Sequence, residues 1–184
     1  MSNASFKLND VEVFSENSQV ITAKNITLNN NVVFPAGHVI QTVSHNAIAN
    51  AHEQVGNTLT YTSSFFQDTI RTKVANSKIR IIFYTARAHS QQGTTGSVWL
   101  QKTIGGTTTQ IHQDKILYLW GNMSWQAGSS LYQELHIDLV DSPNVAVGTD
   151  ITYAARYRRS SGSNSFYFVH SDAYYQRVLQ EIAP

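Results

Sequence analysis

Arg156, Arg158 and Arg159 form the one tight basic cluster of this chain, with Tyr153 and Tyr157 beside them. A guanidinium is a planar fork of donors that fits a carboxylate or a phosphate. The cluster therefore has the chemistry to hold an acidic glycan or a nucleic acid. The same residues also suit an exposed strand end, or ion pairs with Asp and Glu across a subunit boundary. Trp99, Trp120 and Trp125 could make a stacking platform for sugars, although large aromatics more often fill sandwich cores and interfaces. Trp125 sits in a glycine-flanked stretch between Gly121 and Gly128, which marks it as the tryptophan best placed for a ligand contact.

The other chemistry-bearing residues do not converge. His136-Ile137-Asp138 puts two polar side chains on one strand face, but a zinc site needs three or four ligands. The seven histidines show neither helical i, i+4 spacing nor a local cluster. The twelve acidic residues are scattered, with no pair in a glycosidase-like setting. Gly93-Thr94-Thr95-Gly96 lacks the lysine of a phosphate loop and reads as a turn. Ser129-Ser130 sits in no nucleophile elbow. No catalytic residue, metal site or cofactor is expected, and the chain reads as a non-enzyme.

The elements that carry these residues are strands. Leu131, Gln133, Leu135, Ile137 and Leu139 alternate with Tyr132, Glu134, His136, Asp138 and Val140, the period-two pattern of a half-buried strand. Ile151, Tyr153, Ala155 and Tyr157 point one way, and Thr152, Arg156 and Arg158 the other. Residues 78–89 are rich in β-branched and aromatic types and read as a central strand. Residues 98–104 and 107–112 flank Gly105-Gly106, the dipeptide of a two-residue hairpin. Further strands are expected at 39–44, 58–62, 66–74, 116–120, 165–170 and 174–179. Residues 48–55 offer a short helix or a loop, and 93–96 and 160–165 read as hairpin tips. Many short strands between Gly, Asn and Ser turns mean a sandwich or a jelly roll.

Composition narrows the class. The 184 residues suffice for one domain with a core plus a short arm. Only 14% are charged, so Ser, Thr, Asn and Gln must carry the polar surface. A net charge of +1 gives no field that argues for nucleic acid or a membrane as partner. The absence of cysteine excludes disulfides and thiolate chemistry. No apolar run approaches the ~20 residues of a membrane span, and residues 1–7 lack the apolar core of a signal peptide. Asn25-Ile26-Thr27 and Asn122-Met123-Ser124 match the glycosylation sequon, which matters only in a chain that passes through a secretory pathway.

Residues 1–34 stand apart. Val11, Val13, Val20, Ile21, Ile26, Leu28 and Val32 are apolar, yet the segment is too short for its own core and must bury them against something else. It reads as an anchoring arm or intertwined stalk. The boundary falls at Pro35-Ala36-Gly37, and the sandwich occupies 35–184.

Four segments, in order, carry a family pattern. They are Phe34-Pro35-Ala36-Gly37-His38-Val39-Ile40-Gln41, Thr62-Ser63-Ser64-Phe65-Phe66-Gln67-Asp68-Thr69, Ala75-Asn76-Ser77-Lys78-Ile79-Arg80-Ile81 and Val178-Leu179-Gln180-Glu181-Ile182-Ala183. Together they resemble a β-sandwich domain common in minor virion proteins of tailed bacteriophages, in tail fibres and head fibres alike. The resemblance spans Phe34 to Ala183. Family members carry a Leu-x-Arg strand, where this chain has Leu100-Gln101-Lys102. The resemblance implies an all-β, jelly-roll-like antiparallel sandwich, a homotrimer and no enzymatic activity. It places the protein on the surface of a phage particle, made in the host cytoplasm and docked through its arm to a capsid or tail protein. A host-surface glycan is the expected external partner. Trp125, Arg156, Arg158 and Arg159 are the expected receptor contacts. Three copies of His38 or of His45 could meet on a trimer axis. A capsid cement protein without a receptor and a monomeric carbohydrate-binding module are the alternatives.

Overall fold

Strand faces follow the alternation of the sequence. The computed structural model describes residues 35–57, 59–91, 94–111 and 130–184, with the strand backbones at 5–8, 11–17 and 20–23. The chain divides into two units, Met1–Val33 and Phe34–Pro184. In the first, β1 (Ser5–Leu8), β2 (Val11–Asn17) and β3 (Val20–Ala23) pair antiparallel in that order. Val11 and Val13 lie on β2, and Val20 and Ile21 on β3. Ile26 and Leu28 lie outside the described residues.

The second unit contains β4 (Val39–Ile48), β5 (Glu53–Val55), β6 (Tyr61–Arg71), β7 (Lys78–Gln91), β8 (Thr95–Ile104), β9 (Thr107–Gln110), β10 (Ser130–Asp141), β11 (Asp150–Ser161), β12 (Phe166–Val169) and β13 (Tyr174–Ile182). One sheet runs β4-β13-β7-β10, with β12 and β5 extending it beside the far end of β7. The other runs β6-β11-β8-β9. With β5 and β12 set aside, eight strands remain in two layers. Their chain order is first-eighth-third-sixth in one layer and second-seventh-fourth-fifth in the other. This interleaving is the nested Greek keys of a jelly roll.

The layers meet over an apolar core. Ile151, Tyr153, Ala155 and Tyr157 of β11 and Leu135 and Ile137 of β10 are buried, as their alternation predicts. Phe66 from one sheet stacks on Phe83 of the other at 5.3 Å between ring centroids. Phe168 meets Phe66 edge-on and stacks on Tyr157. Such ring pairs add about 0.5–1.5 kcal/mol each beyond area burial.

Local geometry confirms one turn and corrects one element. Gly105 and Gly106 both have positive φ, 55° and 81°, as a two-residue hairpin between right-twisted strands requires. The helix considered at 48–55 does not form. Ile48 closes β4, and Glu53–Val55 is a strand with Glu53 and Val55 turned inward. Glu53 is drawn there by β6, whose Ser63 Oγ, Ser64 N and Oγ and Phe65 N all donate to its carboxylate. The expected strands at 58–62 and 66–74 merge into β6, and 116–120 lies outside the described residues.

A second glutamate closes the opposite end of β6. Glu181, fully buried, accepts hydrogen bonds from Gln41 Nε2 at 2.6 Å, Lys73 N at 2.8 Å, Val74 N at 2.9 Å and Ser77 Oγ at 2.9 Å. Gly37 N donates to Ala183 O, and Ala183 N to His38 O, so the Pro35-Ala36-Gly37 turn is tied to the strand carrying Glu181. Removing an acceptor that serves buried donors leaves them unsatisfied. Glu181→Gln turns an NH2 group against those donors. It should cost about 3 kcal/mol, read as a lower urea midpoint at unchanged slope. A loss below about 1 kcal/mol would show that the carboxylate is not the closure it is taken to be.

Candidate functional site

The outward face of the β6-β11-β8-β9 sheet is built from rows of like residues. Thr69, Thr152, Thr103 and Thr108 lie in register across all four strands. Thr69 and Thr152 share a hydroxyl hydrogen bond of 2.7 Å, and Thr103 and Thr108 one of 2.8 Å. The next row is Gln67, Ala154, Gln101 and Gln110. Beyond it Arg156 faces Thr62 on one side and Trp99 on the other. Arg156 Nη1 donates to Gln101 Oε1 at 3.1 Å. The Arg158 guanidinium lies over the Trp99 ring, 5.6 Å from its centroid. This end of the face thus combines two cations, an indole and a carboxamide, a set that can hold an anion and stack on a flat ligand surface.

The expected basic cluster is split by the strand pleat. Arg156 and Arg158 share the outward face, opposite the buried Tyr153 and Tyr157. Arg159 points the other way, and its Nη1 donates to Ser163 O and Asn164 O, clipping the loop after β11. It is a loop fastener and not a neighbour of the outward pair. Trp125 and Trp120 lie outside the described residues, and Trp99 is the tryptophan seen against arginine. The partnership of Trp99 with Arg158 and of Gln101 with Arg156 was missed from the sequence. Alternation put each residue on its face, but only the β8–β11 register sets them side by side.

The remaining expected pairs serve the fold. Asp138 receives Arg80 Nε at 2.9 Å and Nη2 at 2.6 Å across β10 and β7, which lowers its pKa. It is therefore not free to act with His136, which sits near the Tyr84 ring. His45 Nε2 lies 3.1 Å from Tyr175 Oη, and the backbone of His38 belongs to the turn at Pro35. Lys102 pairs at 2.9 Å with Asp141 of the other sheet, and Tyr153 Oη donates to the same carboxylate. Burial raises the pKa of Tyr153 and of Tyr157, with Asp141 adding to the first and Glu53 to the second. Among the described residues no group of three His, Asp or Glu side chains could hold a metal ion.

One cluster was not legible. His52, His89 and His170 gather around Tyr167, although they lie far apart in the sequence. His52 and His170 are 4.4 Å apart between ring centroids, and His89 stacks on Tyr167 at 4.9 Å. Tyr167 faces His89 in the β12–β7 ladder. Burial lowers the pKa of His89, and the nearby His170 and His52 lower it further.

Comparisons with known proteins assign no family. No protein-family model matches the chain, and no curated protein does. Among solved structures it is similar to the VP2 subviral particle of infectious bursal disease virus, with TM-score 0.46 and 12% identity over 91% of this chain and 40% of that one. It is also similar to latent PorU from Porphyromonas gingivalis, with TM-score 0.38 and 8% identity over 80% of this chain and 13% of that one. A third is the CBM22-1 xylan-binding domain of Xyn10C from Paenibacillus barcinonensis, with TM-score 0.30 and 11% identity over 83% of this chain and 99% of that one. The chain spans less than half the length of the first two, and likenesses this distant carry no function.

His89 yields a prediction of stability against pH. A histidine whose pKa is lower folded than unfolded stabilises the fold above its unfolded value, about 6.5, and that contribution is lost as pH falls. The urea midpoint should therefore drop between pH 7.5 and pH 5, and His89→Phe should shrink the drop. An equal drop in the variant would remove His89 as the cause.

Proposed function

We propose that the protein is a non-enzymatic structural subunit of a tailed-phage particle: a fibre, spike or decoration protein of head or tail that contributes to adhesion to the host surface. The observation that carries this reading is where the family-like segments go. Gln41, the chain after Thr69, Ser77 and Glu181 belong to stretches far apart in sequence, yet they meet at one buried carboxylate. The segments that carry the resemblance thus meet where the sandwich is closed, which supports reading them as scaffold rather than as a variable surface.

The use of the acidic groups supports the same reading. Asp68 is bound to Arg177, Asp138 to Arg80 and Asp141 to Lys102, while Glu53 and Glu181 receive hydroxyl and backbone donors. These are fastenings between strands and sheets. In this reading three copies associate, the segment before Pro35 docks to a capsid or tail protein, and the sandwich is displayed. Many displayed copies turn weak contacts into avidity.

Light scattering after size exclusion tests the assembly. A mass near three times 20.5 kDa is expected. A clean monomer that still binds glycans would favour a carbohydrate-binding module. Deleting residues 1–33 should leave a folded sandwich that no longer joins particles, checked by circular dichroism and by immunoblotting of purified virions. Normal incorporation of the truncated protein would overturn the anchor.

A further inference from the structure

We infer that the outward face of the β6-β11-β8-β9 sheet holds an acidic oligosaccharide, gripped at its charged group by Arg156 and Arg158, with Trp99 supporting Arg158 from beneath. The inference deepens the adhesion reading and rests on it for the biological setting, but the site is argued from its own chemistry.

Three features of this face point to a ligand that carries both charge and hydroxyl groups. The first is unbalanced positive charge. Arg156 and Arg158 are two residues apart on one strand, so their side chains leave the same face about 7 Å apart. The acidic side chain on the same face of β11, Asp150, is six residues from Arg156, about 20 Å along an extended strand. It is engaged there by Arg71 at 3.7 Å. No carboxylate among the described residues neutralises the two arginines.

The second feature is an unsatisfied donor. The Nε–H of Arg156 is buried and has no hydrogen-bond partner among the described residues. Its Nη1 is meanwhile fixed by Gln101. A buried unsatisfied donor costs about 1–3 kcal/mol, a cost that is relieved once the guanidinium shifts to meet an anion. The Gln101 bond also holds the guanidinium in one orientation before any ligand arrives, which reduces the entropy lost on binding.

The third feature is the rest of the surface. Trp99 lies directly across from Arg156 in the β8–β11 ladder and beneath Arg158, so an indole borders both cations. Gln67, Gln101 and the threonine row continue the face with neutral donors and acceptors. Neutral hydrogen-bonding rows match the hydroxyls of a sugar chain better than the evenly spaced charges of a nucleic acid, which call for a longer basic track. Arg159 and its loop contacts take no part.

The test uses the full chain and isothermal titration calorimetry with three probes: trigalacturonic acid, a neutral galactose trisaccharide and an oligothymidylate of matched charge. Binding of the acidic trisaccharide is expected, at least tenfold tighter than either of the others. Arg156→Gln and Arg158→Gln should each weaken it tenfold or more. Trp99→Phe should weaken it less, and Arg71→Gln at the far end of the face should leave it unchanged. Circular dichroism confirms that each variant is folded. The inference is overturned by equal binding of the neutral sugar, by preference for the oligothymidylate, by no binding of the acidic sugar at millimolar concentration, or by arginine variants that bind like the wild type. A parallel assay with labelled protein on a panel of bacterial isolates separates this site from the adhesion reading. Cell labelling that survives Arg156→Gln leaves adhesion standing and removes this site as its cause. Acidic-sugar binding without labelling of any isolate leaves the site standing and removes adhesion.

Discussion

A buried carboxylate with no ion-pair partner among the described residues sets the terms of this fold. Taking a charged group out of water costs several kcal/mol unless hydrogen bonds replace the lost solvent. Glu181 recovers that cost only when Gln41, the backbone at Lys73 and Val74, and Ser77 are all in place. These donors come from β4 and from the connection between β6 and β7, so one acceptor reports on the register of three strands at once. Glu53 does the same at the other end of β6, through Ser63, Ser64 and Phe65. An edge strand with little covalent reason to stay on the sandwich is thereby held at both ends. Buried polar groups of this kind select one arrangement among many of similar apolar burial.

The same economy shapes the surface. Cross-sheet ties use up charge inside: Arg177 with Asp68 and the Phe65 carbonyl, and Lys102 with Asp141. The chain has few charges to begin with, and those spent between the sheets are missing from the outside. The smaller sheet accordingly turns threonine and glutamine rows to solvent, with hydroxyls paired along the row. Against that neutral ground the two arginines beside Trp99 stand out.

The sequence made the faces legible but not the neighbours. Period-two alternation identified which side of β10 and β11 is buried, and it separated Arg156 and Arg158 from Tyr153 and Tyr157. The Gly105-Gly106 turn was readable because positive φ is a local demand. The helix option at 48–55 failed because three inward-outward-inward residues are too few to show a period, and a long-range bond to β6 fixes Glu53. Arg159 looked like a member of the cluster because proximity in sequence hides the alternation between strand faces. The three-histidine group was invisible because its members lie on separate segments, brought together by the β12–β7 and β12–β5 ladders and the turn after β12. Register is a tertiary property, and each missed association depends on it.

The position of β13 has a consequence for how the molecule comes to be made. This strand follows every other strand of the sandwich in the chain, yet it lies inside the larger sheet, between β4 and β7. At a synthesis rate of ~5–20 residues per second, β4 waits on the order of ten seconds for β13, its partner among the described residues of that sheet. During that interval the facing edges of β4 and β7 are both unpaired, the condition in which strand edges recruit other chains. The sandwich cannot grow outward from a finished half. The larger sheet is complete only when the strand that carries Glu181 has paired with both β4 and β7. Slow, non-local closure of this kind favours a setting in which nascent copies are shielded from one another.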